Sequence, residues 1–423
     1  MARPSPPRLL LLLPTTTYRT AAFVEAARGL GVELTVASEM PSAFQQARPE
    51  GLLTLDFTNP DRAAEQAQTF AVANPLNGVV GVDDDTAVIA ATIAARLRLR
   101  GNPVAAALAA RDKHQQRELL RAGGVRVPRF ALYRSDADPD VLGRALSYPC
   151  VLKPLRLSAS RGVIRADDPA TFTAAFRRLG AILAQPDVAA CGEPARHLLV
   201  EQFVPGVEVA LEGLLTAGRL QVLALFDKPD PLDGPFFEET IYLTPSRLPV
   251  ATQQAIADTV RAAAAALGRI EGPVHAELRH NEEGIWLIEL AARPIGGRCS
   301  AVLRFETGDG GGGTGDGSLE DVILRHALGM ELPPLRREER AAGVMMIPVP
   351  GAGILRDVRG VEQARAVPLV EDVVITAHRG QRLVPLPEGA RYPGFIFARG
   401  DNSRRVEDAL REAHRRLEFL IEK

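Results

Sequence analysis

Two glutamates face each other across a hairpin that the sequence predicts between Val274 and Gly297, and an arginine follows them. The segment reads VHAELR, then HNEEG, then IWLIELAARPIGG. Both outer runs have strand character, and Asn281 to Gly284 form the turn. Folding about that turn sets Glu277 opposite Glu289 and His275 opposite Ala291. Opposed residues of an antiparallel pair share a face, with Cβ atoms about 5 Å apart. Arg293 joins that face if the strand continues, because side chains alternate with period two. The other face, Val274, Ala276, Leu278, Trp286, Ile288 and Leu290, is predicted to be core. Two like charges at that distance destabilise a sheet unless a cation lies between them. A hard divalent cation bridging to phosphate oxygens would satisfy both carboxylates.

Two lysines upstream suit phosphate in the same way. Lys113 lies in RDKHQQRELL at a predicted helix start, with Arg117 one turn later on the same face. Lys153 ends the predicted strand YPCVLKP and precedes LRLSASRGV. There Ser158, Ala159, Ser160 and Gly162 are small enough for backbone N–H groups to approach an anion. Further on, LLVEQFVPGVEVALEG breaks at Pro205-Gly206 between two predicted strands. A strand-edge backbone there would hydrogen-bond a purine edge, and Glu201 or Glu208 would hold ribose hydroxyls. Singly, each of these residues reads as an ordinary solvated charge.

The elements that must position these groups fall into three units. Residues 1–110 alternate strand and helix, which predicts a doubly wound parallel α/β domain. Such a sheet binds ligands beyond the carboxyl ends of its strands, where Thr15, Thr16, Thr17, Tyr18 and Arg19 stand after the first. No GxGxxG follows that strand, which counts against a nicotinamide or flavin enzyme. Residues 111–332 are predicted as a mixed α+β domain with a mobile lid at about 146–202. Residues 333–423 are predicted as a small α+β domain ending in a helix from Arg404 to Ile421. The run GDGGGGTGDG, Gly308 to Gly317, lacks a framing strand and helix and is predicted to be a flexible loop.

Composition narrows the function classes. The 423 residues are 46% hydrophobic and 24% charged, as in an ordinary globular protein. A net charge of −2 offers no electrostatic case for nucleic acid or an acidic membrane. Leu9 to Leu13 is too short to span a bilayer and is predicted as a buried strand. The three cysteines, Cys150, Cys191 and Cys299, have no zinc or CxxC spacing, so a reducing cytoplasm is the expected home.

Taken in order, RDK at Lys113, YPCVLKP at Lys153, SASRGV, VEQFVPGVEV, HAEL and IELAARPIGG resemble the ATP-grasp superfamily over roughly the whole chain. PTTTYRTAAFVEAARGLG, GPVHAEL and FARGD are most similar to the bacterial L-amino-acid ligase branch, among biotin-carboxylase-like carboxylate–amine ligases. The resemblance implies a pre-ATP-grasp domain, a two-lobed ATP-grasp domain and a C-terminal domain. It implies an enzyme that uses ATP and Mg2+ (or Mn2+) to join a carboxylate to an amine through an acyl phosphate, with an amino acid as acyl donor. Lys113 and Lys153 would bind phosphates, and Ser158, Ser160 and Gly162 would close over them. Glu201, Gln202, Phe203 and Val204 would frame adenine, and Glu208 would hold the ribose. Glu277 and Glu289 would hold the metal, while Arg293, with Lys153, would stabilise the transferring phosphoryl group. His275, Lys228, Glu239, Gly296, Gly297 and Arg298 would face the substrate. Where relatives often carry an asparagine as a further metal ligand, this chain has Ala291. The partners implied are small acids and amines and a second copy of the chain as a homodimer, and neither nucleic acid nor membrane. A biotin-carboxylase-like or purine-precursor carboxylase or ligase, and a non-catalytic ATP-binding subunit, are the alternatives.

Overall fold

A computed structural model describes residues 6–15, 17, 19–307, 316–332 and 334–423. Thr16, Tyr18 and residues 308–315 of the glycine run lie outside the described residues, while Asp316–Gly317 pair with Phe305–Thr307.

The N-terminal unit is a four-stranded parallel sheet, in the order Leu52–Thr54, Glu33–Ser38, Arg8–Leu12 and Gly78–Gly81. Leu9 to Leu12 are fully buried, as befits a strand covered on both faces. A tight turn leads from Gly81 into the helix Asp84–Leu97, capped by Asp83, which accepts from the Thr86 N–H at 2.8 Å. A Cβ on Gly81 would stand 2.4 Å from the Thr86 carbonyl oxygen, so only glycine permits that turn.

A second, antiparallel sheet orders Phe130–Arg134, His197–Gln202, Cys150–Pro154 and Ile164–Ala166. The helix Pro169–Leu183 packs Phe172, Phe176 and Leu179 against Leu152, Ile164 and Val200 of that sheet. This lobe holds Lys153 and the small-residue loop after it.

The third sheet has eight strands, antiparallel throughout. It runs from the hairpin strands Gly284–Ala291 and Gly272–Asn281 through Val207–Thr216, Arg219–Asp227 and Ile241–Thr244. It continues with Ala341–Met346, Gly394–Gly400 and Val370–Ile375. The sheet therefore passes without a break across residue 332, where the sequence predicts a domain boundary. At the C-terminus the predicted helix is shorter: Ser403–Arg415 is helical and Glu418–Glu422 is a strand paired with Gly353–Arg359. Phe419 and Ile421 are better strand than helix formers, and pairing with Gly353–Arg359 gives this segment its backbone partners.

The hairpin register is the predicted one, Glu277 against Glu289 and His275 against Ala291. A bulge then shifts the pairing, so that Leu278 faces Leu287 and Ile288 is left over. One extra residue inverts the alternation beyond it. Leu287 enters the core, and Trp286 and Ile288 do not. Trp286 instead lies under Arg126 at 5.3 Å, and Ile288 turns to the cavity described next.

Candidate active site

The three sheets enclose a cavity of about 730 Å³. Of the residues singled out for phosphate and adenine, Lys113, Lys153, Ser158, Ser160, Glu201, Gln202, Phe203, Val204 and Glu208 line it. So do Glu277, Glu289, Arg293, His275, Glu239, Gly296 and Gly297. Gly162, Lys228 and Arg298 do not. The carboxyl end of the parallel sheet contributes Thr17, Arg19 and Asp84, as expected for a doubly wound fold.

Lys113 is the first residue of the helix Lys113–Ala122, capped by Asp112. A cation there opposes the helix dipole. The opposition is relieved by Glu289, 3.0 Å from the Lys113 Nζ, which also donates to the Leu157 carbonyl at 2.9 Å. The same helix fixes the strand that carries Glu289. The buried Gln116 amide donates to the Leu290 carbonyl at 2.8 Å and accepts from its N–H at 3.1 Å. Arg117 donates to the Ile288 carbonyl. Burial would raise the Glu289 carboxyl, but the Lys113 charge outweighs it and lowers it.

Lys153 stands 2.7 Å from Glu201, and Arg117 reaches the same carboxylate at 2.5 Å. Burial opposes ionisation of Glu201, yet Arg117 and Lys153 together bring its pKa down to about 2. The side chain is thus tied inward, leaving backbone as the ligand-facing part of this strand. Phe203 N–H is taken by the Pro149 carbonyl, and the Val204 carbonyl by Arg279. Among the described residues no partner is found for the Val204 N–H or the Phe203 carbonyl.

Lys228, expected to meet substrate, is buried behind the wall. Its Nζ lies 2.8 Å from Glu208, 2.7 Å from Glu239 and 3.4 Å from Glu277. Burial disfavours the ammonium, but Glu208 and Glu239 hold its pKa well above the usual lysine value. It acts as an internal counter-ion, a role that three acidic neighbours impose and no single strand of sequence displays. The opposed glutamates are thereby balanced from separate sides, Glu289 by Lys113 and Glu277 by Lys228. Glu208 is similarly saturated, with Arg279 at 2.8 Å on its second oxygen.

His275 has Nε2 3.5 Å from Glu277 and Nδ1 3.7 Å from Glu212. Burial, with Arg293 and Lys228 nearby, drops its pKa to about 3, so it is neutral. Glu212 is wholly buried, and burial lifts its carboxyl well above the usual range despite Arg19 and Arg293. It accepts from the Ile295 N–H at 3.1 Å, just before Gly296-Gly297. Arg293 donates to Asp84 at 3.1 Å. Asp84 lies in VDDDT at the end of a parallel strand, a position where ligand-facing groups collect.

Besides Lys228, two further expectations are corrected. The Gly162 N–H donates to the Pro387 carbonyl at 2.8 Å, so it is not offered to phosphate. Arg298 stacks on Phe397 at 5.2 Å, held there by a left-handed backbone that turns it from the cavity. Sequence reasoning also missed the far wall, where Met346, Thr376, His378, Gln381, Arg391, Tyr392 and Phe395 come from the C-terminal residues. Those segments meet the site only because the eight-stranded sheet joins them to it.

Residues 146–302 match the ATP-grasp domain family, and residues 24–101 the ATP-grasp N-terminal domain. Residues 345–422 match L-amino acid ligase C-terminal domain 2. The chain carries an ATP-grasp domain. The crystal structure of an L-amino acid ligase from Bacillus licheniformis superposes with a TM-score of 0.83 at 28% identity, covering 99% of this chain and 100% of that one. Alanine–anticapsin ligase of Bacillus subtilis is 28% identical over 216 residues, 48% of this chain and 45% of that ligase, so the match spans about half of the curated relative. The ATP complex of carboxyaminoimidazole ribonucleotide synthase from Aspergillus clavatus shares the fold, with a TM-score of 0.70 at 17% identity over 97% of this chain and 99% of that one. The ATP-grasp ligase fold expected from the motifs is therefore the one present. No helix among the described residues is long and apolar enough to cross a membrane.

Proposed function

We propose that this ATP-grasp protein joins a carboxylic acid to an amine, with an amino acid as acyl donor, and releases ADP and phosphate. The observation that carries the reading is the shared cavity. Lys113–Glu289, Lys153–Glu201 and Arg293–Asp84 converge on one space whose far wall is the ligase-type C-terminal domain. Relatives named as ligases of amino acids support the substrate class.

The chemistry needs little from the protein beyond placement and charge. A carboxylate is a poor electrophile. One of its oxygens attacks the γ-phosphorus of ATP, the bond to ADP breaks, and an acyl phosphate forms. The amine nitrogen then attacks the carbonyl carbon, phosphate leaves with the C–O electron pair, and the nitrogen loses a proton. Phosphoryl transfer of this kind is catalysed by positioning and by cations on developing charge. Lys113 and Lys153 reach phosphate oxygens by exchanging their carboxylate partners for them, and Arg293, oriented by Asp84, meets the transferring group. An imidazole with a pKa near 3 is a weak base, so His275 orients substrate and does not abstract its proton.

Glu277 and Glu289 fit a divalent cation: two oxygen donors directly opposed on facing strands, with Ala291 offering none. Bound there, Mg2+ or Mn2+ would supply positive charge to the β- and γ-phosphates. The antiparallel lobe carrying Lys153 and the Ser158–Gly162 loop is the lid that shields the acyl phosphate from water. The test is ADP release across paired acids and amines. Release that needs both partners supports the ligase; release stimulated by bicarbonate alone would make it a carboxylase, and ATP binding without turnover a nucleotide-binding subunit.

A further inference from the structure

The loop Pro385–Tyr392 forms part of the C-terminal wall and carries Arg391 into the cavity lining. The other cations of that lining are engaged. Lys113, Lys153, Arg279 and Arg293 each face a carboxylate. Arg19 donates to the Pro294 carbonyl at 3.2 Å and to that of Ile295. Arg391 has no hydrogen-bond or ion-pair partner among the described residues. A solvent-facing arginine is ordinary on a surface. Arg391 is exposed too, but it lines the cavity on a loop whose backbone is held on both sides.

Its backbone is anchored on both sides. Before it, the Pro387 carbonyl accepts from Gly162, and Glu388 makes two bonds to Arg178 of the lid lobe at 2.6 and 2.9 Å. After it, the Tyr392 carbonyl accepts from the Thr376 hydroxyl at 2.9 Å, and Pro393 from two backbone N–H groups. A guanidinium on an anchored loop is a prepared, two-pronged receptor for a carboxylate. Lys113 and Lys153 come from the helix Lys113–Ala122 and the strand Cys150–Pro154, each already paired with a carboxylate, whereas Arg391 comes from the C-terminal loop.

We infer that Arg391 binds a second carboxylate of the substrates, distinct from the one that is phosphorylated. This rests on the ligase reading above. Two sources share the chemistry: the α-carboxylate of an amino-acid acceptor, or a side-chain carboxylate of an acidic donor. In either case the loop holds its ligand while its neighbours Pro387 and Glu388 hold the lid lobe. Binding and closure are thus coupled through one short segment.

The experiment measures ADP release by the intact chain and by Arg391→Met and Arg391→Lys. One arm compares amino-acid acceptors with their amides, and the other compares aspartate and glutamate with asparagine and glutamine as donors. Loss of a charged hydrogen bond predicts a fall in kcat/KM of about ten- to a hundredfold in Arg391→Met for the carboxylate-bearing partner. The matching amide should change by less than about twofold, and the lysine variant should recover part of the loss. The arm that responds identifies the source. Equal losses for acid and amide, no loss in either arm, or a rise confined to the KM for ATP would overturn the proposal while leaving the ligase standing. An intact chain that releases no ADP with any pair would remove both.

Discussion

Glu289 accepts the Lys113 ammonium at 3.0 Å, across the space between a helix start and a hairpin strand. Each member has a partner in the ligand-free site, and on the proposed function each exchanges it, Lys113 for phosphate and Glu289 for the metal. Glu289→Gln keeps the shape and removes the charge. It should lower kcat by about a hundred- to a thousandfold, the scale of losing one preorganised electrostatic group. Steady-state ADP release checks this, and near-normal turnover would refute the metal assignment.

Gln116 sets the height of Glu289 by bonding both backbone groups of Leu290. Gln116→Leu strips those partners from a buried peptide. A cost of about 1–3 kcal/mol is expected, together with reduced turnover, although Gln116 is absent from the cavity lining. Urea unfolding and ADP release measured on the same variant test the two halves.

Arg117 and Lys153 hold Glu201 ionised while buried. Arg117→Met leaves that charge half-compensated and should destabilise by about 3–5 kcal/mol. Adding Glu201→Gln should recover much of the loss, because the stranded charge is then gone. A double-mutant cycle in urea measures the coupling.

Stability should fall in acid over two overlapping windows. The folded pKa of Glu201 is depressed to about 2, so its contribution is present above the ordinary glutamate range and is lost as pH drops towards 2. His275 is depressed to about 3, so the unfolded chain takes up its proton first, and stability declines as pH falls from about 6.5. His275→Asn should make the decline between about pH 6.5 and 5, above the range where Glu201 contributes, shallower. Urea midpoints across that range decide it.

Much of this site could be read before the fold. The hairpin register followed from the turn at Asn281–Gly284, and Lys113 at a helix start and Lys153 near a strand end from their neighbours. What escaped depended on distant chain meeting distant chain. The bulge after Glu277 gives no local composition signal, yet it moves Leu287 into the core. Lys228 looks like a loop lysine until Glu208, Glu239 and Glu277 converge on it. Arg391 lies a hundred residues or so from the nearest predicted site group and reaches the cavity only through the continuous sheet.

Asp84 orients Arg293 at 3.1 Å from the N-terminal domain. Asp84→Asn keeps a hydrogen bond and removes the charge. On the proposed role of Arg293 at the transferring group, it should reduce kcat by about tenfold with little change in the KM for ATP.

The most direct measurement of the central claim is ADP formation with product mass, in the presence of magnesium, for acid alone, amine alone and both together. The account predicts ADP and an equal amount of condensed amide only when both are present, abolished by EDTA and restored by added Mg2+. ADP formation indifferent to the amine, or condensation that persists in EDTA with Glu277→Gln and Glu289→Gln combined, would contradict it.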